Sequence, residues 1–197
     1  APDVANTGRK YMNFSSDTSA PAHPKVIEAL VSVNSGMEGS YGADSVTAAL
    51  REKLAAVFET DDFDFWMTAS GTASNALALS CFCSPLGAVL CHAEAHIARD
   101  ERGAPEFFSG GGKLQLLPGF GARINRDALE AALAGINPAF VHETPAEALS
   151  LTNLTECGTA YRAEEVALYA GLAKEKGLAV HLDGARLGNV LAKGKST

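Results

Sequence analysis

Asp183 is where the chemistry of this chain is most directly argued. It closes the apolar run Leu178-Ala179-Val180-His181-Leu182 and precedes Gly184. A carboxylate at the end of a buried strand is costly unless it pairs with a cation or accepts hydrogen bonds. Arg186, three residues on, is one natural partner, and a protonated ring nitrogen is another. Ser70-Gly71-Thr72 leads into a helix, so backbone N–H groups, the positive end of a helix dipole and two hydroxyls converge as they would around a phosphate. On spacing alone the same serine is an ordinary helix cap. His96 has the chemistry of a general base, a stacking ring or a metal ligand, and His92, four residues earlier, can share a helix face with it. A lone histidine after a strand is most often structural. Neither a Walker sequence nor a complete Gly-x-Gly-x-x-Gly occurs, and Gly111-Gly112-Lys113 precedes a strand rather than a helix. Cys81-Phe82-Cys83 and Cys91-His92 lie close together, but Cys-x-Cys is not the usual zinc spacing and His-Glu-x-x-His is absent, so no metal is expected. The four cysteines read as free thiols in a reducing compartment.

These residues need a scaffold, and the hydrophobic periodicity supplies one. Tyr41-Gly42-Ala43 reads as a turn with Asp44 capping a helix over Ser45–Phe58, where Val46, Leu50, Leu54, Val57 and Phe58 recur at helical steps. Phe63, Phe65 and Met67 alternate as in a strand. Helices are predicted over Ala73–Phe82, Arg126–Ala134 and Ala163–Lys176, the last stopped by Gly177. Strands are predicted at Ala88–Cys91, Leu114–Leu117, Ala148–Thr152 and Leu178–Leu182. Such alternation implies βαβ units and a mostly parallel sheet flanked by helices. Ligands of such sheets sit beyond the C-terminal ends of the strands. That rule gathers Ser70-Gly71-Thr72, His96, Thr152-Asn153, Asp183 and Arg186 at one edge.

Composition narrows the functional classes. The 197 residues suit a single α/β domain, and 47% hydrophobic content is ample for a core. Sixteen basic against 23 acidic residues give a net charge of −7 with no basic block, so no nucleic-acid partner is expected. No run of 18 apolar residues occurs, and Ala1-Pro2-Asp3-Val4-Ala5-Asn6 does not resemble a secretory signal. No membrane association and a cytoplasmic location are the expectations.

Taken together, the segments resemble the low-specificity L-threonine aldolases, including the phenylserine aldolases, within the pyridoxal-phosphate (PLP) fold-type I enzymes. Phe14-Ser15-Ser16-Asp17-Thr18, Tyr41-Gly42-Ala43-Asp44 and Ser70-Gly71-Thr72-Ala73-Ser74-Asn75 carry the likeness. Cys91-His92-Ala93-Glu94-Ala95-His96-Ile97, Gly103-Ala104-Pro105-Glu106-Phe107-Phe108, Ser150-Leu151-Thr152-Asn153 and Gly158-Thr159-Ala160-Tyr161 extend it. His181-Leu182-Asp183-Gly184-Ala185-Arg186-Leu187 is the most specific match.

The resemblance implies the large domain of an aspartate-aminotransferase-like fold, with residues 1–40 an N-terminal segment and 41–197 part of the PLP-binding domain. It implies that Asp183 pairs with the pyridine nitrogen of PLP and that Gly71 and Thr72, with Ser70, hold the phosphate. His96 would stack on the ring and serve as the base, directly or through a water, while Arg186 and Ser16 would bind the substrate carboxylate. Tyr41 is a weaker candidate near the phosphate, contributed by a neighbouring subunit. The implied reaction is cleavage of L-threonine, L-allo-threonine or a related β-hydroxy-α-amino acid to glycine and an aldehyde, in a homodimer or homotetramer. Elimination and transamination use the same cofactor. The family's Schiff-base lysine is expected well beyond Asp183, which Lys193 and Lys195 follow too closely. The chain is therefore expected to lack that lysine and the small C-terminal domain, and to be inactive alone; a non-catalytic fragment with a partial pocket is the other reading.

Overall fold

The computed structural model describes residues 16, 19–137 and 139–194, with 193 and 194 described by backbone only. Phe14, Ser15, Asp17, Thr18, Lys195 and the Lys193 side chain fall outside the described residues. The chain divides into two compact units, Ala1–Trp66 and Met67–Thr197.

The first unit holds α1 (Pro24–Val33) and α2 (Ser45–Phe58). Tyr41 and Gly42 both take positive φ, 58° and 82°, in the turn that precedes α2. Asp44 caps that helix by accepting from the Thr47 N–H at 2.8 Å. The expected strand over Phe63–Met67 does not form. Phe63 instead packs edge-on against Phe58 with ring centroids 6.4 Å apart, and the Arg51 guanidinium lies 4.8 Å from its centroid. Arg51 also donates to the Phe63 carbonyl at 2.8 Å. Phe63 is thus spent on packing against α2 while Met67 stays exposed, and the backbone between them joins no ladder.

The second unit runs through α3 (Gly71–Phe82), β1 (Ala88–His92), α4 (His96–Arg99), α5 (Ala104–Phe108) and β2 (Lys113–Leu117). It continues through β3 (Gly119–Phe120), β4 (Arg123–Ile124), α6 (Arg126–Ala134) and β5 (Ala146–Thr152), then α7 (Ala163–Glu175), β6 (Ala179–Asp183) and α8 (Leu187–Gly194). Four strands form one sheet in the order β2-β1-β5-β6, every pairing parallel, while β3 and β4 form a separate antiparallel hairpin. Gly177, at φ 78°, ends α7: its N–H donates to the Lys174 carbonyl, and that of Leu178 to Ala173.

The sheet is covered on both faces. Leu90, Leu149 and Leu151 pack with Leu129 and Leu133 of α6 and Tyr169 and Ala173 of α7. Val89, Cys91 and Ala148 point the other way, onto Leu79 of α3, Cys83 just after it, and Ile97. Side chains alternate across a strand. Given Ala148 on the α3 face, Ser150 and Thr152 follow it there, and the register Ser150↔His181 and Thr152↔Asp183 brings their β6 partners to the same face. Asp183 therefore arrives at the C-terminal edge of the sheet, on the side that α3 covers.

Candidate active site

His92 is the last residue of β1 and is buried, with its Nδ1 accepting from the Glu94 N–H at 3.0 Å. It belongs to a strand, and so does not share a helix face with His96. A turn over Ala93–Ala95 separates them, and His96 begins α4. His96 Nδ1 and Oε1 of Glu101 are 2.8 Å apart, within hydrogen-bond distance, and the His96 side chain is about one-third exposed. The Glu101 side chain is completely buried.

The same Glu101 oxygen accepts from the Asn75 amide nitrogen at 2.8 Å. That amide nitrogen also donates to Oδ2 of Asp183 at 3.1 Å. One –NH2 group has two hydrogens, so Asn75 bridges two carboxylates and is fully used on its donor side. The other Asp183 oxygen accepts from the Ala185 N–H at 3.0 Å, and the Asn153 N–H donates to the Asp183 carbonyl at 3.0 Å. His96, Glu101, Asn75 and Asp183 thus form one hydrogen-bonded chain joining the segment after β1 and the last residue of β6 to the second turn of α3.

Ser70 is the N-cap of α3, its hydroxyl accepting from the Ala73 N–H at 3.2 Å. The cap reading of Ser70 is therefore realised, and the N–H groups of Gly71 and Thr72 belong to the first helical turn, where no intrahelical acceptor exists. A Cβ placed on Gly71 would meet nothing within 4 Å. The α3 terminus is open, exposes a dipole and lies one turn from Asn75. Arg186 is half-buried in the turn between β6 and α8. Ser16 and Tyr41 lie in the first unit: the Ser16 carbonyl accepts from the Ser19 N–H, and Tyr41 is fully exposed.

Beneath Asp183 on the same face, His181 Nδ1 and the Ser150 hydroxyl are 2.9 Å apart. Burial holds the His181 imidazole below its usual pKa, against the opposing pull of the Asp183 charge, so it is neutral near pH 7. Burial pushes the Cys91 thiol up to about 12, which makes it an inert core group. Among the described residues no three His, Cys, Asp or Glu side chains gather as a metal site. No described helix is long and apolar enough to cross a membrane. A hollow of about 500 Å³ lies at the opposite end of the strands, lined by Ala88, Lys113, Ile136 and Pro145 among others. It collects no set of acid, base and open helix terminus, whereas the C-terminal edge does.

The site's chemistry fits PLP on these observations. An oriented carboxylate can face a pyridinium nitrogen, an imidazole with an unshared Nε2 side can meet a substrate hydroxyl, and an open helix N-terminus can take a phosphate. Sequence reasoning does not single out Asn75 or Glu101 as a site residue. The available signal was a lone amide within the small, apolar run of α3, and an acid in Arg99-Asp100-Glu101-Arg102 that reads as a solvated charge cluster.

A family model described as beta-eliminating lyase matches residues 13–196. A low-specificity L-threonine aldolase of a Pseudomonas species is 36% identical over 180 residues, 91% of this chain and 51% of that protein. The chain spans about half the length of the curated relatives it matches. A threonine aldolase structure from Leishmania major superposes with a TM-score of 0.78 at 30% identity, covering 86% of this chain and 48% of that one. The N-succinyldiaminopimelate aminotransferase of Mycobacterium tuberculosis, at TM-score 0.55 and 20% identity over 80% of this chain and 40% of that one, shares the fold. The architecture is that of the fold-type I large domain.

Proposed function

We propose, from the premise that this chain belongs to the beta-eliminating lyase family, that it carries the cofactor pocket of a PLP-dependent aldolase acting on β-hydroxy-α-amino acids. L-threonine, L-allo-threonine and phenylserine are the substrate class, and glycine and an aldehyde the products. The observation that carries this reading is the Asn75 bridge, which holds Asp183 in the same hydrogen-bonded chain as His96. The similarity to threonine aldolases supports it.

In this reading Asp183 holds a proton on the pyridine nitrogen, and Gly71 and Thr72, with the Ser70 cap, bind the phosphate. The chemistry so supplied is an electron sink for the pair left on Cα when Cα–Cβ breaks. Nε2 of His96 takes the β-hydroxyl proton, directly or through one water, and the oxygen electrons become the aldehyde carbonyl. Arg186 and Ser16 bind the α-carboxylate, Arg186 as a planar two-donor fork. Tyr41 reaches a phosphate from a neighbouring subunit of a homodimer or homotetramer. Residues 41–197 are assigned to the PLP-binding domain, and the protein to the cytoplasm.

The family description keeps elimination as the competing reaction, and the products separate the two. The full-length protein, loaded with PLP, should release glycine and acetaldehyde from L-threonine. Ammonia and a 2-oxo acid without glycine would replace this reading with elimination. An amino group passed to an added 2-oxo acid would replace it with transamination.

A further inference from the structure

We infer that Glu101 is a positioning residue: through a single carboxylate oxygen it sets the tautomer of His96 and, by way of Asn75, the orientation of Asp183. The inference rests on the aldolase reading for its catalytic meaning, but the geometry behind it belongs to the chain alone. Glu101 Oε1 takes both short bonds, 2.8 Å from His96 Nδ1 and 2.8 Å from the Asn75 amide. Its other oxygen, Oε2, is buried without a hydrogen-bond partner. A carboxylate that is fully buried and half-satisfied is a poor stabiliser, since burying a charge costs more than one or two bonds return. What it provides is direction.

A carboxylate can only accept, so the proton between it and His96 resides on Nδ1. In the neutral ring this leaves the lone pair on Nε2, the nitrogen available to a substrate hydroxyl. The carboxylate likewise fixes which end of Asn75 is the amide nitrogen. That nitrogen's second hydrogen then has one acceptor in reach, Oδ2 of Asp183 at 3.1 Å. Short segments are joined by the same contact. His96 starts a four-residue helix whose first N–H donates to Oε1 of Glu156 at 2.9 Å, and Arg102 and Gly103 turn the chain at φ 50° and 75° immediately after Glu101. Glu156 and the buried Ile97 hold the backbone there, whereas the ring's own hydrogen bond is to Glu101, and that bond sets its orientation.

The test reads the tautomer first. In protein labelled with 15N-histidine, two-bond 1H–15N correlation spectra should show His96 protonated on Nδ1 and bare on Nε2 at a pH where the ring is neutral. His96→Gln assigns the signal among the five histidines. In Glu101→Gln the new amide can donate to Nδ1, and the pattern should move toward Nε2–H. In the full-length, PLP-loaded protein, E101Q should lower kcat on the order of 10²-fold with KM little changed, because ring orientation matters in the step rather than in binding. A wild-type spectrum with the proton on Nε2 overturns the proposal and needs no variant. So does an E101Q spectrum identical to wild type, or an effect of E101Q confined to KM. If the tautomer shifts as expected while the wild-type protein fails to cleave threonine, the positioning role is supported and the aldolase reading fails.

Discussion

Replacing Asn75 by alanine removes both hydrogen bonds of the bridging amide while leaving the helix intact. The two losses differ in size. Glu101 is fully buried, and losing a bond to a charged buried acceptor costs about 1.5–3 kcal/mol. Asp183 is half-buried, so water replaces the amide there and the cost falls to about 0.5 kcal/mol. Alanine returns about 0.5 kcal/mol through its better helix propensity. The net destabilisation is thus about 1.5–3 kcal/mol, or roughly 3–12 °C in Tm for a chain of this size. Urea unfolding followed by circular dichroism measures it, with Leu77→Ala, an exposed change on the same helix, as the control expected within about 0.5 kcal/mol of wild type. An Asn75→Ala chain that unfolds at the wild-type midpoint, with an unchanged m-value, would refute the idea that the amide compensates the buried acid.

Three further outcomes follow from the same site. Asp183→Asn should retain the fold yet reduce threonine cleavage by the full-length protein on the order of 10³-fold, since the charge opposite the pyridinium is lost; near-normal turnover would make Asp183 purely structural. Gly71→Ala meets no steric obstacle and should raise stability by about 0.4–1 kcal/mol through the unfolded chain, while weakening PLP binding followed by fluorescence; unchanged affinity would remove the phosphate from the α3 terminus. Because the folded His181 pKa is depressed, the unfolded chain binds more protons just below the ordinary value near 6.5. Stability should therefore rise with pH up to about that value and fall as pH drops toward the depressed one, and urea midpoints of His181→Gln should lack this slope.

The sequence made the scaffold legible because its signals are local. The α2 and α6 ranges coincide with the structure, and the four parallel strands fall where short β-branched or leucine-rich runs sit between helices. The edge that gathers His96 and Asp183 followed from strand direction alone. What periodicity cannot show is which member of a charged cluster turns inward. Glu101 is distinguished from Asp100 and Arg102 only by the positive-φ turn that starts at Arg102 and by an amide 26 residues away. Phe63–Met67 shows the same limit: alternation marks one side as apolar and says nothing of what covers it, and here Phe63 meets α2 while Met67 stays exposed. His92 lies on a strand and not on a helix face because β1 runs one residue further than its apolar core, carrying a histidine into the last strand position.

The bond between Asn75 and Asp183 joins residues 108 apart, and every pairing in the four-stranded sheet is parallel and therefore non-local. At synthesis rates of about 5–20 residues per second, roughly 5–20 s pass between the appearance of the amide and that of its carboxylate. During that interval a nascent chain can pair β1 with β2 and then with β5, closing progressively larger loops. Asn75 and Glu101 can already meet, but Asp183, the second acceptor of the amide, is still missing. Closure of the His96–Glu101–Asn75–Asp183 chain is consequently a late event in biogenesis, gated by the docking of β6. A ribosome stalled before His181 emerges would display β1, β2 and β5 already paired while the Asn75 amide still lacked its second acceptor.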